Sequence, residues 1–355
     1  MNKEKFLYEV TPPGVSKLIK KFRIKKSTPS SEKIKANQSV TEELIKKLRN
    51  EKMNLFIADE TIDAFCDLMQ EQFIGSQPLP TKGVKNQELC DQLQSDGFIV
   101  IRIFLDPDLI DKIAESVEMY SQDTILRFNE IKASNPLYCK DDVHENIDGL
   151  RFCYDLSSSI IRIHGLHTKI PLIQEILLES NQINDIIKSY LGGKVIGGEA
   201  AYADYKAFPG TYDSNLLMHT DDCFKKVKTF LPLYDITDDN APFVYYKGSH
   251  KFNEWRLLKD LLMFSNYNKE YVSSYYYYNT IELEKMANKY RELSSGEQRD
   301  SVKKGDLIIA DTRGVHGGSI LNKGYRLQLG STYAQLGPYQ YCYLPSHVLK
   351  YSKRT

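Results

Sequence analysis

Apolar residues recur at helical spacing through much of the first half of the chain, at intervals of three and four positions. The segment after Thr41 shows this pattern, and it returns after Pro107 and again from Ile170 to Tyr190. Proline suits the first turn of a helix, so Pro107 and Pro171 mark two helix starts. The pattern predicts a helical preface over residues 41–95 and a long helix after each of these two prolines.

Short apolar runs bounded by glycine, proline, asparagine and aspartate dominate the second half of the chain. One such run also follows the tight turn at Asp96-Gly97. Short strands with frequent turn signals are typical of antiparallel β-structure. We therefore predict a mainly β fold with flanking helices, with an antiparallel sandwich or jelly roll as its core over about residues 96–345. The predicted strands are 98–101, 195–196, 202–208, 228–234, 243–246, 307–310 and 326–334.

Two segments depart from this pattern. Residues 1–40 carry ten basic and three acidic residues, a local charge of +7. This composition predicts a basic, flexible arm that is solvated, in contact with an anionic partner, or involved in substrate entry. Residues 255–298 are charged and contain four consecutive tyrosines at 275–278, which predicts an insertion that is packed by its rings or covers the site as a lid. Residues 41–355 are predicted to form one domain.

The composition excludes several classes of function. Lys and Arg together number 47, as do Asp and Glu, whereas proteins that coat nucleic acids or membrane surfaces are rich in basic residues. No run of about 18 apolar residues predicts a membrane span, and no secretory signal is evident. The six cysteines are scattered without metal-binding spacing, which favours free thiols and a cytoplasmic location. Nucleophile elbows and glycine-rich phosphate loops are missing, so hydrolase, kinase and dehydrogenase functions have no support.

Two histidines and one aspartate form a candidate metal site. In His219-Thr220-Asp221 the outer residues lie two positions apart, so in an extended strand their side chains point to the same side. His316 follows an apolar run and is accompanied by glycines that let ligands approach. Two histidines and one carboxylate that leave coordination positions open are the facial triad of non-haem Fe(II) oxygenases. The sequence therefore predicts an iron site at His219, Asp221 and His316.

A candidate anion-binding residue follows in the next predicted strand. Arg326 stands there among apolar residues, beside Leu327. A buried guanidinium is costly unless it meets a carboxylate, and its planar fork suits a bidentate pair. 2-Oxoglutarate fits both groups, because its keto-acid end can chelate the iron while its other carboxylate pairs with Arg326.

The order of these motifs resembles the phytanoyl-CoA dioxygenase-like family, over about residues 88–345. The likeness rests on DGFIVIR at 96–102, HTD at 219–221, DITDDNAPFVYYKGSH at 235–250, and His316 followed by Arg326. Family members typically have Gly and Pro where this chain has Ala241 and Lys247. The family consists of Fe(II)- and 2-oxoglutarate-dependent oxygenases, so the resemblance implies a double-stranded β-helix (cupin-like) core. It also implies Fe(II), 2-oxoglutarate and O2 as cofactor and cosubstrates.

The resemblance implies roles for individual residues. It assigns the iron to the three candidate ligands and the distal carboxylate of 2-oxoglutarate to Arg326. Family members often have a hydroxyl two residues after the distal histidine to assist the cosubstrate, and here Ser319 lies one position further on. By analogy with the family, segment 200–208 lines the pocket, with Tyr202, Asp204 and Lys206 on one side of the strand. Tyr202 would contact the cosubstrate and Lys206 the substrate.

Three more basic residues, Arg162, His164 and His167, form a local cluster in the sequence. Its place in the chain leads to the open side of the iron, where these residues would contact substrate or cosubstrate. His250, in Gly-Ser-His, is instead expected to fix its own turn.

These features predict an oxygenase. The expected reaction is oxidation of an unactivated C–H bond of a small, carboxylate-bearing or amino-acid-derived metabolite, with release of succinate and CO2. Hydroxylation is the default outcome, and desaturation or oxidative cyclisation would use the same ligands. The alternatives are a non-catalytic β-helix protein that binds a metal or ligand, and a hydroxylase of an acyl thioester or a macromolecule. The oligomeric state does not follow from the sequence.

Overall fold

The computed structural model describes residues 86–121, 123–134, 143–156, 159–191, 195–197, 202–206, 208–209, 218–221, 226–251, 296–299 and 301–335. The predicted basic arm lies outside these residues, as do the helical preface up to residue 85 and the tyrosine run at 275–278. Among the described helices, none is both long enough and apolar enough to cross a membrane.

Four helices of ten or more residues occur in the described part of the chain. They are α1 (Gln87–Asp96), α2 (Pro107–Ser121), α3 (Thr124–Ser134) and α4 (Asn181–Leu191). The predicted start of α2 at Pro107 is confirmed, and its apolar stripe, which includes Ile110, Ile113 and Val117, is buried. Helix α3 was not among the predicted helices.

The helix predicted from Ile170 to Tyr190 is interrupted. A short helical turn at Pro171–Ile173 continues as a π-type turn over Gln174–Leu178, and α4 then begins separately. The hydroxyl of Ser180 accepts a hydrogen bond from the backbone N–H of Ile183, at 3.4 Å. Serine in this arrangement caps the start of a new helix, so local capping divides the predicted helix in two.

Nine antiparallel strands form a large sheet. They are β1 (Phe98–Ile101), β2 (Val143–Ile147), β3 (Leu150–Asp155), β4 (Ile160–His164), β5 (Val195–Gly197), β6 (Tyr202–Lys206), β7 (Lys226–Pro232), β10 (Leu307–Asp311) and β12 (Arg326–Gln335). Their order in the sheet is β1-β10-β7-β12-β6-β4-β3-β2, and β5 pairs with β12 beside this path. The mainly β architecture with flanking helices is thus confirmed, although β2, β3 and β4 were not among the predicted strands.

A second, smaller sheet lies against one face of the large sheet. It has the order β11-β8-β9, with β8 at Val244–Tyr246, β9 at Glu297–Arg299 and β11 at His316–Gly317. Phe98 and Phe230 of the large sheet pack in one apolar cluster with Tyr245 of β8. Two packed sheets are what a jelly roll requires. The complete double-stranded β-helix stays a prediction, because several connections lie outside the described residues.

The two faces of the large sheet differ in chemistry. One face, which includes Ile161, Leu231 and Leu329, packs into the main apolar core with the helices. Side chains alternate between faces along a strand, so Arg162, Lys228 and other neighbours of these residues belong to the opposite face. Polar positions are therefore concentrated on the face that the small sheet covers.

Gly97 connects α1 to β1 in a crowded turn. It has a φ of +76°, and a Cβ there would lie 2.3 Å from both His250 Nδ1 and Tyr245 Oη. We expect Gly97→Ala to lower the free energy of unfolding by about 3 kcal/mol, through backbone strain and overpacking together. Denaturant unfolding followed by circular dichroism measures this loss.

Gly149 supplies the control for this prediction. Its φ is +82°, but a Cβ there meets no atom within 4 Å, so Gly149→Ala should cost only the backbone strain, about 1 kcal/mol. Equal losses in the two variants would show that packing around Gly97 contributes nothing.

Candidate metal centre

Backbone pairing brings His219 and His316 together. The N–H of His219 donates to the carbonyl of His316 at 2.7 Å, and the N–H of His316 donates back at 2.8 Å. Residues directly opposite each other in an antiparallel pair project to the same side. The two rings accordingly lie with their centroids 4.5 Å apart. This reciprocal pair extends the small sheet beyond β11 and fixes the relative orientation of the imidazoles.

Asp221 completes the cluster from two residues further along. Its backbone N–H donates to the carbonyl of Thr312 at 2.9 Å, which ties it to the loop before His316. Its Oδ1 lies 3.8 Å from His316 Nε2. One ligand atom each from His219, Asp221 and His316 lies within 4.8 Å of the others. The fold therefore brings together the three residues that the sequence predicts as metal ligands.

His316 is held in a state suited to metal binding. Its Nδ1 lies 2.9 Å from the carbonyl of Gly314, so we assign the proton to Nδ1, which leaves Nε2 directed toward Asp221. Burial, together with the neighbouring His219, lowers the pKa of His316 to about 3. The ring is consequently neutral at physiological pH, and a neutral imidazole nitrogen is the form that ligates metals.

Two lysines that the sequence analysis missed flank Asp221. Lys228 Nζ lies 2.9 Å from Asp221 Oδ2, and Lys226 Nζ lies 4.0 Å away. Burial alone would raise the pKa of Asp221, but the two lysines and the histidines hold it well below its ordinary value. The alternating lysines of the strand KVKTFLP were the available signal, because charges two positions apart in an apolar strand share one face.

The donor set of this cluster fits Fe(II). Two imidazole nitrogens and one carboxylate oxygen in close array match the two-histidine, one-carboxylate arrangement that leaves coordination positions open for small ligands. The carboxylate of Asp221 is ionised and the imidazole of His316 is neutral without help from a metal, so these two residues could hold the ion without losing a proton.

Arg326 begins β12 and is buried. Its Nη1 donates to the carbonyl of Ala241 at 2.6 Å. By the register of β12 with β7, where Gly330 faces Phe230, Arg326 belongs to the face of the large sheet that the small sheet covers. The guanidinium therefore lies inside the fold, on the polar face.

The other predicted contact residues align with Arg326 in the strand register. Lys206 of β6 stands opposite Arg326, and Tyr202 stands opposite both Gly330 and His164. Arg162, on β4, has its Nη1 3.7 Å from a carboxylate oxygen of Asp155, so it already has an acidic neighbour. His164 is buried.

Ser319 and His250 have distinct environments. The Ser319 hydroxyl is buried and forms no hydrogen bond with any residue in the described part of the chain, so it can still bond a ligand. His250 Nε2 instead lies 3.1 Å from the carbonyl of Gln94, at the end of α1. This contact ties the Gly-Ser-His turn to α1.

Ala241 occupies a backbone conformation that favours glycine. Its φ is +64°, and this is the position where the resemblance gives Gly. We expect Ala241→Gly to leave the free energy of unfolding within about 0.5 kcal/mol of the wild type, since relief of left-handed strain offsets both the entropy that glycine adds to the unfolded chain and the loss of a methyl group that is buried here. Denaturant unfolding measures the change.

The matched variant is Ala203→Gly, at a buried position in strand β6. Glycine there weakens the strand and removes a buried methyl, so a loss of about 1 kcal/mol is expected. A loss in both variants would mean that Ala241 is not strained.

The family follows from the sequence comparison. Residues 93–324 match the family described as Phytanoyl-CoA dioxygenase (PhyH). The match spans more than half of the chain, so the chain belongs to the phytanoyl-CoA dioxygenase family and is an Fe(II)- and 2-oxoglutarate-dependent oxygenase. The resemblance seen in the ordered motifs is confirmed, with Fe(II), 2-oxoglutarate and O2 as cofactor and cosubstrates.

Several solved structures are similar to this chain at 14% sequence identity. SnoK, a non-heme alpha ketoglutarate dependent carbocyclase from nogalamycin biosynthesis, has a TM-score of 0.48, with 73% of this chain and 87% of SnoK covered. EctD from S. alaskensis with bound Fe has a TM-score of 0.47, at 74% and 81% coverage. HygX from Streptomyces hygroscopicus with nickel and 2-oxoglutarate has a TM-score of 0.43, at 71% and 88%. No curated protein matches the sequence.

Proposed function

We propose that this oxygenase binds Fe(II) through His219, Asp221 and His316 and oxidises an unactivated C–H bond of a small, carboxylate-bearing or amino-acid-derived metabolite. The observation that carries the metal assignment is the reciprocal backbone pairing of the two histidines with Asp221 within 4.8 Å. Bound iron supplies the activation of O2 coupled to conversion of 2-oxoglutarate to succinate and CO2. The residues of the chain orient the bound groups, provide charged side chains that pair with them, and exclude water from the site.

Arg326 is proposed to hold the distal carboxylate of 2-oxoglutarate. The Ala241 carbonyl accepts one N–H of its guanidinium and so fixes the side chain at one end. A guanidinium carries several further donors in a planar fork, which suits a bidentate carboxylate. Ser319, with its buried hydroxyl, and Tyr202, aligned with β12, are proposed as further contacts to this cosubstrate.

A carboxylate-bearing substrate is supported by the basic residues of the same face. Lys206 aligns with Arg326, while Arg162 and His164 lie on the neighbouring strand β4. Lys228 adds a cation beside the proposed ligand Asp221. We propose that Lys206, Arg162 and His164 contact the substrate. Hydroxylation is the default outcome, since desaturation and cyclisation need further control of the substrate.

The test begins with anaerobic protein, Fe(II) and 2-oxoglutarate, for which we expect a weak visible charge-transfer band. A panel of carboxylates and amino-acid derivatives, each paired with its neutral amide, is then assayed with O2 for substrate-stimulated succinate release. Stimulation by the acids and not by the amides is expected. Absence of the band would refute the iron assignment, whereas equal stimulation by the amides would refute only the substrate class. An acyl thioester and a protein fraction added to the panel test the alternative substrates.

A further inference from the structure

A buried ion pair lies directly beside the proposed metal centre. Asp311 ends β10 and is fully buried, and Arg313 Nε donates to its two carboxylate oxygens at 2.9 and 3.1 Å. The backbone N–H of Arg313 donates to the same carboxylate at 3.0 Å. Tyr190, on α4, donates its hydroxyl from the other side. A strand end, a loop and a helix thus meet at one carboxylate.

This cluster is ionised and costly to bury. Burial by itself would raise the pKa of Asp311, but Arg313 holds it far below its ordinary value. Replacing a buried ion pair with apolar side chains is often neutral or stabilising, so such a pair is weak evidence for a stabilising role. A bidentate pair does hold its two side chains in a fixed relative geometry, so it also restrains the backbone between Asp311 and Arg313.

The enclosed loop provides hydrogen bonds to two proposed metal ligands. The carbonyl of Thr312, between the paired residues, accepts the N–H of Asp221 at 2.9 Å. The carbonyl of Gly314, next to Arg313, accepts Nδ1 of His316 at 2.9 Å. Any rotation of this loop would therefore move both ligands relative to His219.

The other side of the loop is also fixed. Tyr245 donates its hydroxyl to the carbonyl of Asp311 at 2.9 Å, and Ser249 accepts the N–H of Val315 at 2.8 Å. A Cβ on Gly314 would lie 2.0 Å from the Tyr245 hydroxyl oxygen, so the loop has no room to shift in that direction. The cluster of Asp311, Arg313 and Tyr190 holds the same loop through the carboxylate of Asp311.

We propose that Asp311, Arg313 and Tyr190 are positioning residues that hold Asp221 and His316 in the geometry required for the metal. The proposal rests on the proposed function, since it presupposes that these two residues are ligands. Residues that orient metal ligands typically change metal affinity by about ten- to hundredfold when they are replaced. We expect a change of that size, without loss of the folded structure.

The experiment titrates the full-length apo protein with Co(II) and follows the visible d–d absorption, which reports both affinity and coordination geometry. Asp311→Asn and Arg313→Lys should each weaken Co(II) binding by about ten- to hundredfold and alter the band shape. The matched control is Asp306→Asn, because Asp306 is also buried at an end of β10 and accepts hydrogen bonds from Arg102 and from backbone N–H groups. That variant should keep wild-type affinity and band shape, even where it lowers the unfolding temperature.

The outcomes separate the two proposals. A wild-type protein that gives no Co(II) band, or a band that His219→Ala leaves unchanged, refutes the metal centre itself. A normal wild-type band that Asp311→Asn and Arg313→Lys leave unaltered, or that Asp306→Asn weakens equally, overturns the positioning role alone. Arg313→Lys retains the positive charge and loses only the planar guanidinium fork. This variant therefore tests the positioning role even if Asp311→Asn does not fold.

Discussion

Replacement of Asp221 with alanine is expected to weaken Fe(II) binding by more than about a hundredfold, beyond the effect of losing a residue that only orients a ligand. The substitution removes the single anionic ligand and leaves Lys228, which lies 2.9 Å from that carboxylate, beside two imidazoles. An incoming dication would then meet a positive charge where it now meets a carboxylate. Succinate release should fall below detection, and the visible band with Fe(II) and 2-oxoglutarate should disappear.

Asp111→Ala is the control for this prediction. Asp111 also pairs with a lysine, since Lys304 Nζ lies 2.7 Å from its carboxylate, but it stands on α2 at the surface. Its loss should leave the band and the turnover at wild-type levels. An intact band in Asp221→Ala, or its disappearance in both variants, would contradict the proposed ligand set.

Replacement of Arg326 should act on the cosubstrate and leave the metal in place. Truncating one partner of a buried, hydrogen-bonded charge pair costs on the order of 3 kcal/mol, so Arg326→Ala is expected to raise the KM for 2-oxoglutarate by about a hundredfold. Arg326→Lys keeps the charge without the planar fork and should recover part of the affinity. Initial rates of succinate formation across 2-oxoglutarate concentrations measure both variants.

Co(II) binding without 2-oxoglutarate provides the internal control, because Arg326 is not among the proposed ligands. The affinity for Co(II) should be the same in the Arg326→Lys variant and in the wild type. Arg102 is a half-exposed arginine that pairs with Asp306, and Arg102→Lys should change neither the KM for 2-oxoglutarate nor the affinity for Co(II). An unchanged KM in Arg326→Ala, with an intact protein, would assign the distal carboxylate to another cation.

Much of the candidate site could be predicted because its signals are local. The i and i+2 relation of His219 and Asp221 follows from strand geometry, and glycines beside His316 follow from the need for close approach. The direct pairing of His219 with His316 could not be predicted, since strand register over a long separation depends on the whole sheet. Lys226 and Lys228 were detectable as alternating charges, yet their nearness to Asp221 depends on the same register.

The fold was predictable where turn and helix signals agreed. Gly97 and Pro107 mark boundaries through their own backbone preferences, and both boundaries are as expected. The break before α4 depends on one serine hydroxyl, a signal weaker than the continuous apolar pattern around it. Strand β2 has a largely exposed pattern, so it gave no apolar run to recognise.

The pairing of His219 with His316 links the metal to the folding reaction. These residues lie about a hundred positions apart, so the site forms only after a contact of high sequence separation has closed. An unfolded chain offers no preassembled ligand set, and a ligand that binds only the native state stabilises it by mass action. Iron supply would therefore govern how long the folded enzyme persists as well as how fast it turns over.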